Sequence, residues 1–433
     1  MKKSALSVGV ALALFANSPA HAAPLTIETK RAEATAKQSP SPRVEAFTAA
    51  LQELADVFGT GKGNPIPLLD KLVQHRHSEQ TRAQLMQHFG IDSLFTVTPA
   101  SAPAGKVAYA ITTPANRHMD PNGEAVEWAT LNAKIELDKA GRRMISSGSW
   151  PSFSVHGLKS SMRLSDITLT SDQTRSSRDV WLGKGGYRIG SIVFGNASGD
   201  GGVEIEDLTI DADVIERKQA VTIGFDMRIK AVKVAGEQVD HVRFASRMSN
   251  VDMKAFEALS KAIAAKEKQM DPALAFLSAR PELIAFGKTM AARGTAIEID
   301  EISAGYRGHQ AKIKGRVSLA PMKDADFANA AAFVKKLVAR MEVQVPLALV
   351  SEVAGTVTSK QAEAKGQPMA DGAVAQASQG ITDAMVGKVV TSGYGRVHND
   401  MLVTVIEFKN GKLTLNNKEV AMPARKPTPA ASK

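Results

Sequence analysis

The chain has 433 residues, 44% hydrophobic and 23% charged, so it can bury a sizeable core and is not disordered by composition. Aromatic residues make up only 5%, which argues against a surface that grips nucleic acid by stacking bases on rings. Cysteine is absent, which excludes disulfides, thiol nucleophiles, thiolate zinc sites and iron–sulfur clusters, and the formal net charge is +10.

Lys2 and Lys3 precede a short apolar run from Ala5 to Phe15, and Asn17, Ser18 and Pro19 break it before Ala20, His21 and Ala22. This is the pattern of a cleavable export signal spanning residues 1–22, with cleavage expected after Ala22. The run is about half of the roughly 20 residues that span a bilayer. The alternative is a retained inner-membrane anchor. Cleavage removes two lysines and no acid, leaving a mature chain of 411 residues and charge +8, expected in the periplasm.

Residues 23–43 are polar and read as a linker. In a helical unit over 44–94, Val44, Phe47, Leu51, Leu54 and Phe58 recur at helical spacing, and two shorter helices carry Leu68, Leu69, Leu72 and Val73, then Leu85, Met86 and Phe89. From about Phe95 the period becomes 2. Leu131, Ala133, Ile135 and Leu137 alternate with polar residues, and Val221 to Ala231 makes a long strand with Arg228 and Lys230 on its wet face.

A short template recurs at Met162–Thr168, Val203–Thr209 and Ile297–Ser303, and in each copy the alternation slips by one residue at the acid: Asp166, Asp207 or Glu301. A slip of this kind marks a β-bulge, and a regularly bulged sheet curves. Asp252 caps a helix carrying Phe256, Leu259 and Ile263; a second helix carries Phe327, Phe333, Val334 and Leu337; Pro272 and Pro281 open short helices between them. Residues 360–379 read as a loop or frayed helix. Leu402 to Phe408, Asn410–Gly411, and Leu413 with Leu415 form a hairpin, and 423–433 is a tail without order.

The pattern predicts an α+β fold: a long, curved, mostly antiparallel β-sheet with bulges over 95–422, helices packed on its concave face, and the small N-terminal helical unit. Val343, Val345, Pro346, Leu347 and Leu349, the closing Gly411, Leu413, Leu415, Asn416 and Lys418, and the Asn250, Val251, Asp252, Met253 lead into a helix resemble the YdgA/YihF-like family of bacterial envelope proteins, a domain of unknown function. The resemblance covers Phe95 to Val420, implies an envelope location and carries no catalytic residue. The chain departs from the family in its cleavable start and in having Asn416–Asn417–Lys418 where Asn-Gly-Lys is usual.

Gly59, Gly61, Lys62 and Gly63 lack the first glycine and the hydroxyl of a phosphate loop, and the glycines Gly183, Gly185, Gly186 and Gly190 read as a turn. His75 and His77, two apart, point to different faces if helical, so a metal pair there would need a strand and a third ligand; Glu79 or His88 could complete such a site, and the alternative is the polarity of a solvated helix. Glu204, Glu206, Asp207, Asp211 and Asp213 lack calcium-loop spacing and alternate as a strand face does. No metal, cofactor or catalytic residue is therefore expected. Arg228 and Lys230, with Lys312, Lys314 and Arg316, form rows that either contact anionic lipid headgroups or cell-wall polymers, or make a charged solvent face. Expected partners are a lipid or other hydrophobic ligand, the envelope surface or a second copy of the chain, and no nucleic acid. The functional expectation is a non-enzymatic exported protein; the alternative is an envelope hydrolase or metal-dependent enzyme whose site is assembled from distant residues. The expected outcome of N-terminal sequencing on the exported protein is a chain starting at Ala23; an intact Met1 in the membrane fraction would contradict export by cleavage.

Overall fold

The computed structural model describes residues 42–58, 64–158, 160–176, 181–196, 202–217, 220–256, 258, 259, 262, 280–320, 322, 326, 330–366 and 369–420. The expected leader with Ala22, the linker up to residue 41, the glycines at 59–63, Pro272 and the C-terminal tail lie outside these residues. Contacts divide the chain into two units, one running to Glu216 and including Ile223–Gln238, the other comprising Arg217–Thr222 and everything from Val239.

The first unit opens with three helices, α1 (Pro42–Phe58), α2 (Ile66–Gln74) and α3 (Glu79–Phe89). Helix α1 starts two residues before Val44, inside the stretch expected as linker. Ser78 caps α3 by accepting from the Thr81 N–H, and Gly90 ends it in the left-handed region at φ 68°, a conformation that costs glycine little. These helices share their cores with strands. Leu54, Leu69 and Leu72 are buried with Val97, Tyr109, Ile111, Leu137 and Met144; Ala46, Ala50, Leu85 and Phe89 are buried with Val126 and Trp128. A charged group is buried at the same junction: Arg43 Nη2 lies 3.1 Å from Asp120 Oδ2 and donates to the Glu124 carbonyl at 2.9 Å. Burial disfavours the Asp120 charge, but the Glu124 N–H, the Arg43 guanidinium and the Asn122 N–H hold its carboxyl below the ordinary value.

Among the described residues the strand pairs whose register is defined are antiparallel. Strands β1 (Thr96–Ala100), β2 (Lys106–Thr113), β5 (Leu131–Asp138), β6 (Arg143–His156), β7 (Ser160–Arg175), β8 (Trp181–Asn196) and β9 (Val203–Arg217) lie side by side, and β10 (Ala220–Val234) pairs with β9. The hairpin of β3 (Asn116–Met119) and β4 (Ala125–Trp128) pairs with the second half of β6.

The expected slips occur, in two forms. Pro151, Asp166, Gly190 and Asp207 stand in one row across β6 to β9. On either side of it the register is unchanged, since Trp150 pairs Ile167 and Ser152 pairs Ser165, Ile167 pairs Ile189 and Ser165 pairs Ser191, and Ile189 pairs Leu208 and Ser191 pairs Glu206. Each strand therefore carries one extra residue at the same height, and no strand bulges against its neighbour. Asp166 and Asp207 take it up with φ of 53° and 50°, and Gly190 makes room: a Cβ there would sit 2.8 Å from Asp166 Cβ. Leu164 and Ile167, Ile189 and Ile192, Ile205 and Leu208 thus stay in one cluster despite the change of parity. The third copy is a register-shifting bulge: Ile299 pairs Gly315, but Ile302 pairs Ile313. The glycines Gly183, Gly185 and Gly186 are not a turn but lie within β8; a Cβ on Gly186 would meet the Ile210 carbonyl at 2.7 Å, so the close neighbour requires glycine.

The second unit is a meander of β11 (Glu237–Val251), β12 (Ala296–Tyr306), β13 (His309–Leu319), β14 (Leu337–Pro346), β15 (Arg396–His398), β16 (Met401–Lys409), β17 (Lys412–Leu415) and β18 (Lys418–Val420). Its helices are α4 (Arg280–Ala292), opened at Pro281 as expected, α5 (Ala330–Lys336), α6 (Leu347–Ala364) and α7 (Asp371–Thr391). Asp252 does cap, accepting from the Ala255 N–H at 2.9 Å. Leu337, expected in a helix, begins β14 opposite Leu319, and the 360–379 segment is mostly helix. Two-residue turns at Arg307–Gly308, Asn399–Asp400, Asn410–Gly411 and Asn416–Asn417 have positive φ at both positions, the mirror-image turn that suits the twist of a hairpin. Asparagine does the work of the usual glycine at residue 417, and Asn416 Oδ1 accepts from the Val405 N–H at 2.9 Å.

Chemical denaturation tests the row: Asp166→Val, a β-branched residue at positive φ, is expected to cost about 1–2 kcal/mol, and Asp166→Gly to lie within about 1 kcal/mol of wild type. Asp120→Asn removes the nearer of two carboxylates beside a buried guanidinium, the other being Glu124 at 3.5 Å, and is expected to cost about 3 kcal/mol, the low end of the range for a broken buried pair. Because the folded carboxyl of Asp120 is depressed, its contribution is complete above the ordinary carboxylate value of 3.8 and fades as pH falls below it. The difference between wild type and Asp120→Asn, read from denaturation curves, should therefore shrink in that acid range.

Candidate functional site

The register of the second unit aligns its apolar positions into rows. Ile297 pairs Val317, which pairs Ala339, then Phe408 and Leu413; Ile299 pairs Gly315, then Met341, Ile406 and Leu415. Ile302, between Phe244 and Ile313, continues to Val343. These side chains belong to one face because the bulge at Asp300 and Glu301 restores parity between Ile299 and Ile302. The face is not sealed. Ile299, Ile302, Ile313, Val317, Met341, Val343, Ile406 and Phe408 are only half-buried and Ile297 is 40% exposed, whereas the matching clusters of the first unit are closed by α1 to α3.

Alternation puts Lys312, Lys314 and Arg316 of β13 on the opposite face. That face is laced with ion pairs: Arg247 with Asp300 at 2.6 Å, Arg243 with Glu301 at 3.0 Å, Arg340 with Glu407, and Arg316 with Glu298 at 4.0 Å. Lys312 stands across from Gln344 and Lys314 across from Glu342. Arg228 and Lys230, in the first unit, are also paired, Arg228 with Asp211 and Lys230 with Glu206 at 3.2 Å. Lys233 and then Lys230 hold the Glu206 carboxyl below its ordinary value. The five basic residues are thus distributed over two units, and the acids of β9, including Glu204 and Asp207, serve as counter-charges to Lys233 and Arg188.

Among the described residues, one group of metal-ligating side chains converges: Glu53, His75 and His77. The histidines are not on a helix. Helix α2 ends at Gln74 and His75 is extended, with ψ 138°, so residues two apart can turn toward the same side. His75 Nε2 lies 3.4 Å from His77 Nδ1, which lies 2.9 Å from Glu53 Oε2. Burial works against the charge on Glu53, but bonds from Ser78 and Thr81, the Ser78 N–H and His77 pull its pKa down to about 2. Burial and then the neighbouring His77 lower that of His75. The third donor is Glu53 and not Glu79 or His88, and sequence reasoning missed it. It sits on a separate helix, and the only local signal is the helix stop that releases His75.

Among the described residues no helix is long and apolar enough to cross a membrane. No curated protein and no solved structure matches the chain. A family model does, and it begins at residue 72 in the last turn of α2, earlier than the resemblance at Phe95 implied, and runs through the closing hairpins. Matched over residues 72–423, the chain belongs to the bacterial family of unknown function described as DUF945.

Proposed function

We propose that this is an exported, non-enzymatic protein of the bacterial envelope that holds a lipid or similarly apolar ligand against the sheet of its second unit. The likeness of its closing strands to YdgA/YihF-like envelope proteins and the export signal read from residues 1–22 support the location. The observation that carries the ligand reading is the half-covered apolar face running from Phe244 through Ile302, Ile313 and Val343, with Met341, Ile406 and Leu415 alongside. Exposed apolar area of this extent on a soluble protein is a feature of binding surfaces. On the opposite face, Lys312 and Lys314 are the residues proposed to contact an anionic envelope surface, because Arg228, Lys230 and Arg316 already have carboxylate partners within 4.0 Å.

Organic extracts of the purified mature protein, analysed by mass spectrometry, are expected to contain one recurring lipid class. Ile313→Glu, which puts a charge into the middle of the apolar face, is expected to lower its yield at least tenfold while leaving the far-ultraviolet spectrum unchanged. Extracts free of lipid in repeated preparations, together with no displacement of a fluorescent fatty-acid probe, would refute ligand carriage.

A further inference from the structure

We infer that Glu53, His75 and His77 form a binding site for a divalent transition-metal ion of the zinc type, which ties helix α1 to the segment between α2 and α3. The site is separate from the apolar face and does not depend on the reading given to that face. Imidazole nitrogen and carboxylate oxygen are the donors such an ion selects in the absence of thiolates. The spacing fits. An ion with bonds of roughly 2.0–2.1 Å holds two ligand atoms about 3.3 Å apart at a tetrahedral angle and about 2.9 Å apart at a right angle. The observed separations are 3.4 Å between the two histidine nitrogens and 2.9 Å between His77 Nδ1 and Glu53 Oε2, and all three donor atoms lie within 4.8 Å of one another. A hydrogen bond from His77 to Glu53 accounts for one of these approaches; a cation accounts for the convergence of all three.

The surroundings are those of a prepared ligand set. Glu53 Oε1 accepts from Ser78 Oγ at 2.6 Å and from Thr81 Oγ1 at 2.7 Å, and Oε2 accepts from the Ser78 N–H at 3.0 Å, so the carboxylate is oriented before any ion arrives. Coordination through Nδ1 places the His77 proton on Nε2, so the ion replaces the hydrogen bond that His77 Nδ1 makes with Glu53. His75 and Glu53 are partly exposed, which leaves a side from which an ion can enter and water can complete its shell.

The test uses the untagged full-length chain, stripped with a chelator and titrated with Zn²⁺ by calorimetry and with Co²⁺ by visible absorption. One saturable equivalent per chain is expected, with the ligand-field bands of a four- or five-coordinate Co²⁺ and a Zn²⁺-dependent rise of several degrees in Tm. His75→Ala should weaken binding at least tenfold and abolish the Tm rise, and because His75 is the outermost ligand it leaves the Glu53, His77, Ser78 and Thr81 bonds in place. Glu53→Gln, checked for folding by circular dichroism, should weaken binding likewise, and His156→Ala, at an exposed histidine elsewhere, should bind as wild type. No saturable binding by the wild type, or His75→Ala binding as tightly as the wild type, would overturn the site.

Discussion

A strand buries alternate residues, so a long strand has one apolar parity from end to end unless something changes it. Strands of fourteen to sixteen residues, as β6 to β9 are, do not keep one parity here, and the architecture rests on how the change is made. In the first unit it is made collectively. Pro151, Asp166, Gly190 and Asp207 lie abreast, so four strands shift together and their register survives. Were one strand to shift alone, every pair beyond it would bring a polar side chain toward the Leu164, Ile167 and Ile192 cluster. The positive φ of the two aspartates and the missing Cβ of Gly190 are the local strain that this common step requires.

The two units use similar strands to different ends. The first covers the apolar surface of its leading strands with α1, α2 and α3, and buries Leu85, Leu137 and Val126 almost completely, while Ile205, Leu208, Phe225 and Met227 of β9 and β10 are only half-buried. The buried Arg43 and Asp120 pair ties α1 to the turn between β3 and β4, where a slip would leave a buried guanidinium without its nearest carboxylate. In the second unit the rows through Val317, Met341 and Ile406 are equally apolar in sequence, yet they remain half-exposed. What distinguishes these rows from the leading strands of the first unit is the cover that α1 to α3 supply there.

Much of this was legible in the sequence because it is local. The alternation in Leu131–Leu137, the slip at Asp166, the cap at Asp252 and the Asn410–Gly411 turn each depend on residues within a few positions of one another, and each appears where expected. Readings that failed depend on neighbours remote in the chain. The glycines of β8 resemble a turn until Thr170, Asp172 and Ile210 are placed against them, and Leu337 resembles the end of a helix until Leu319 pairs with it. The candidate sites follow the same division. The basic residues of β13 were visible as a row, but their counter-charges come from other strands, and Glu53 meets His77 across 24 positions because the stop at His75 turns the chain back.

Helices α6 and α7 leave the sheet after β14; α6 still touches it where Thr356 Oγ1 lies 2.9 Å from Tyr306 Oη and Glu352 pairs with Arg307 at 3.0 Å, and the chain closes at one point. Pro346, the last residue of β14, pairs with Met401, the first of β16, and the Leu347 N–H donates to the Asp400 carbonyl at 2.9 Å. The strands on either side are thus joined whatever lies between, and the helical hairpin is an excursion whose ends are already closed. It carries several exposed apolar side chains, Val353, Val357, Ile381 and Met385 among them, while contributing no residue to the pairing of β14 with β16. Away from the contacts of Thr356 and Glu352, such a segment can change its surface without disturbing the ladder that supports it, which makes its outer face the part of the second unit freest to diverge.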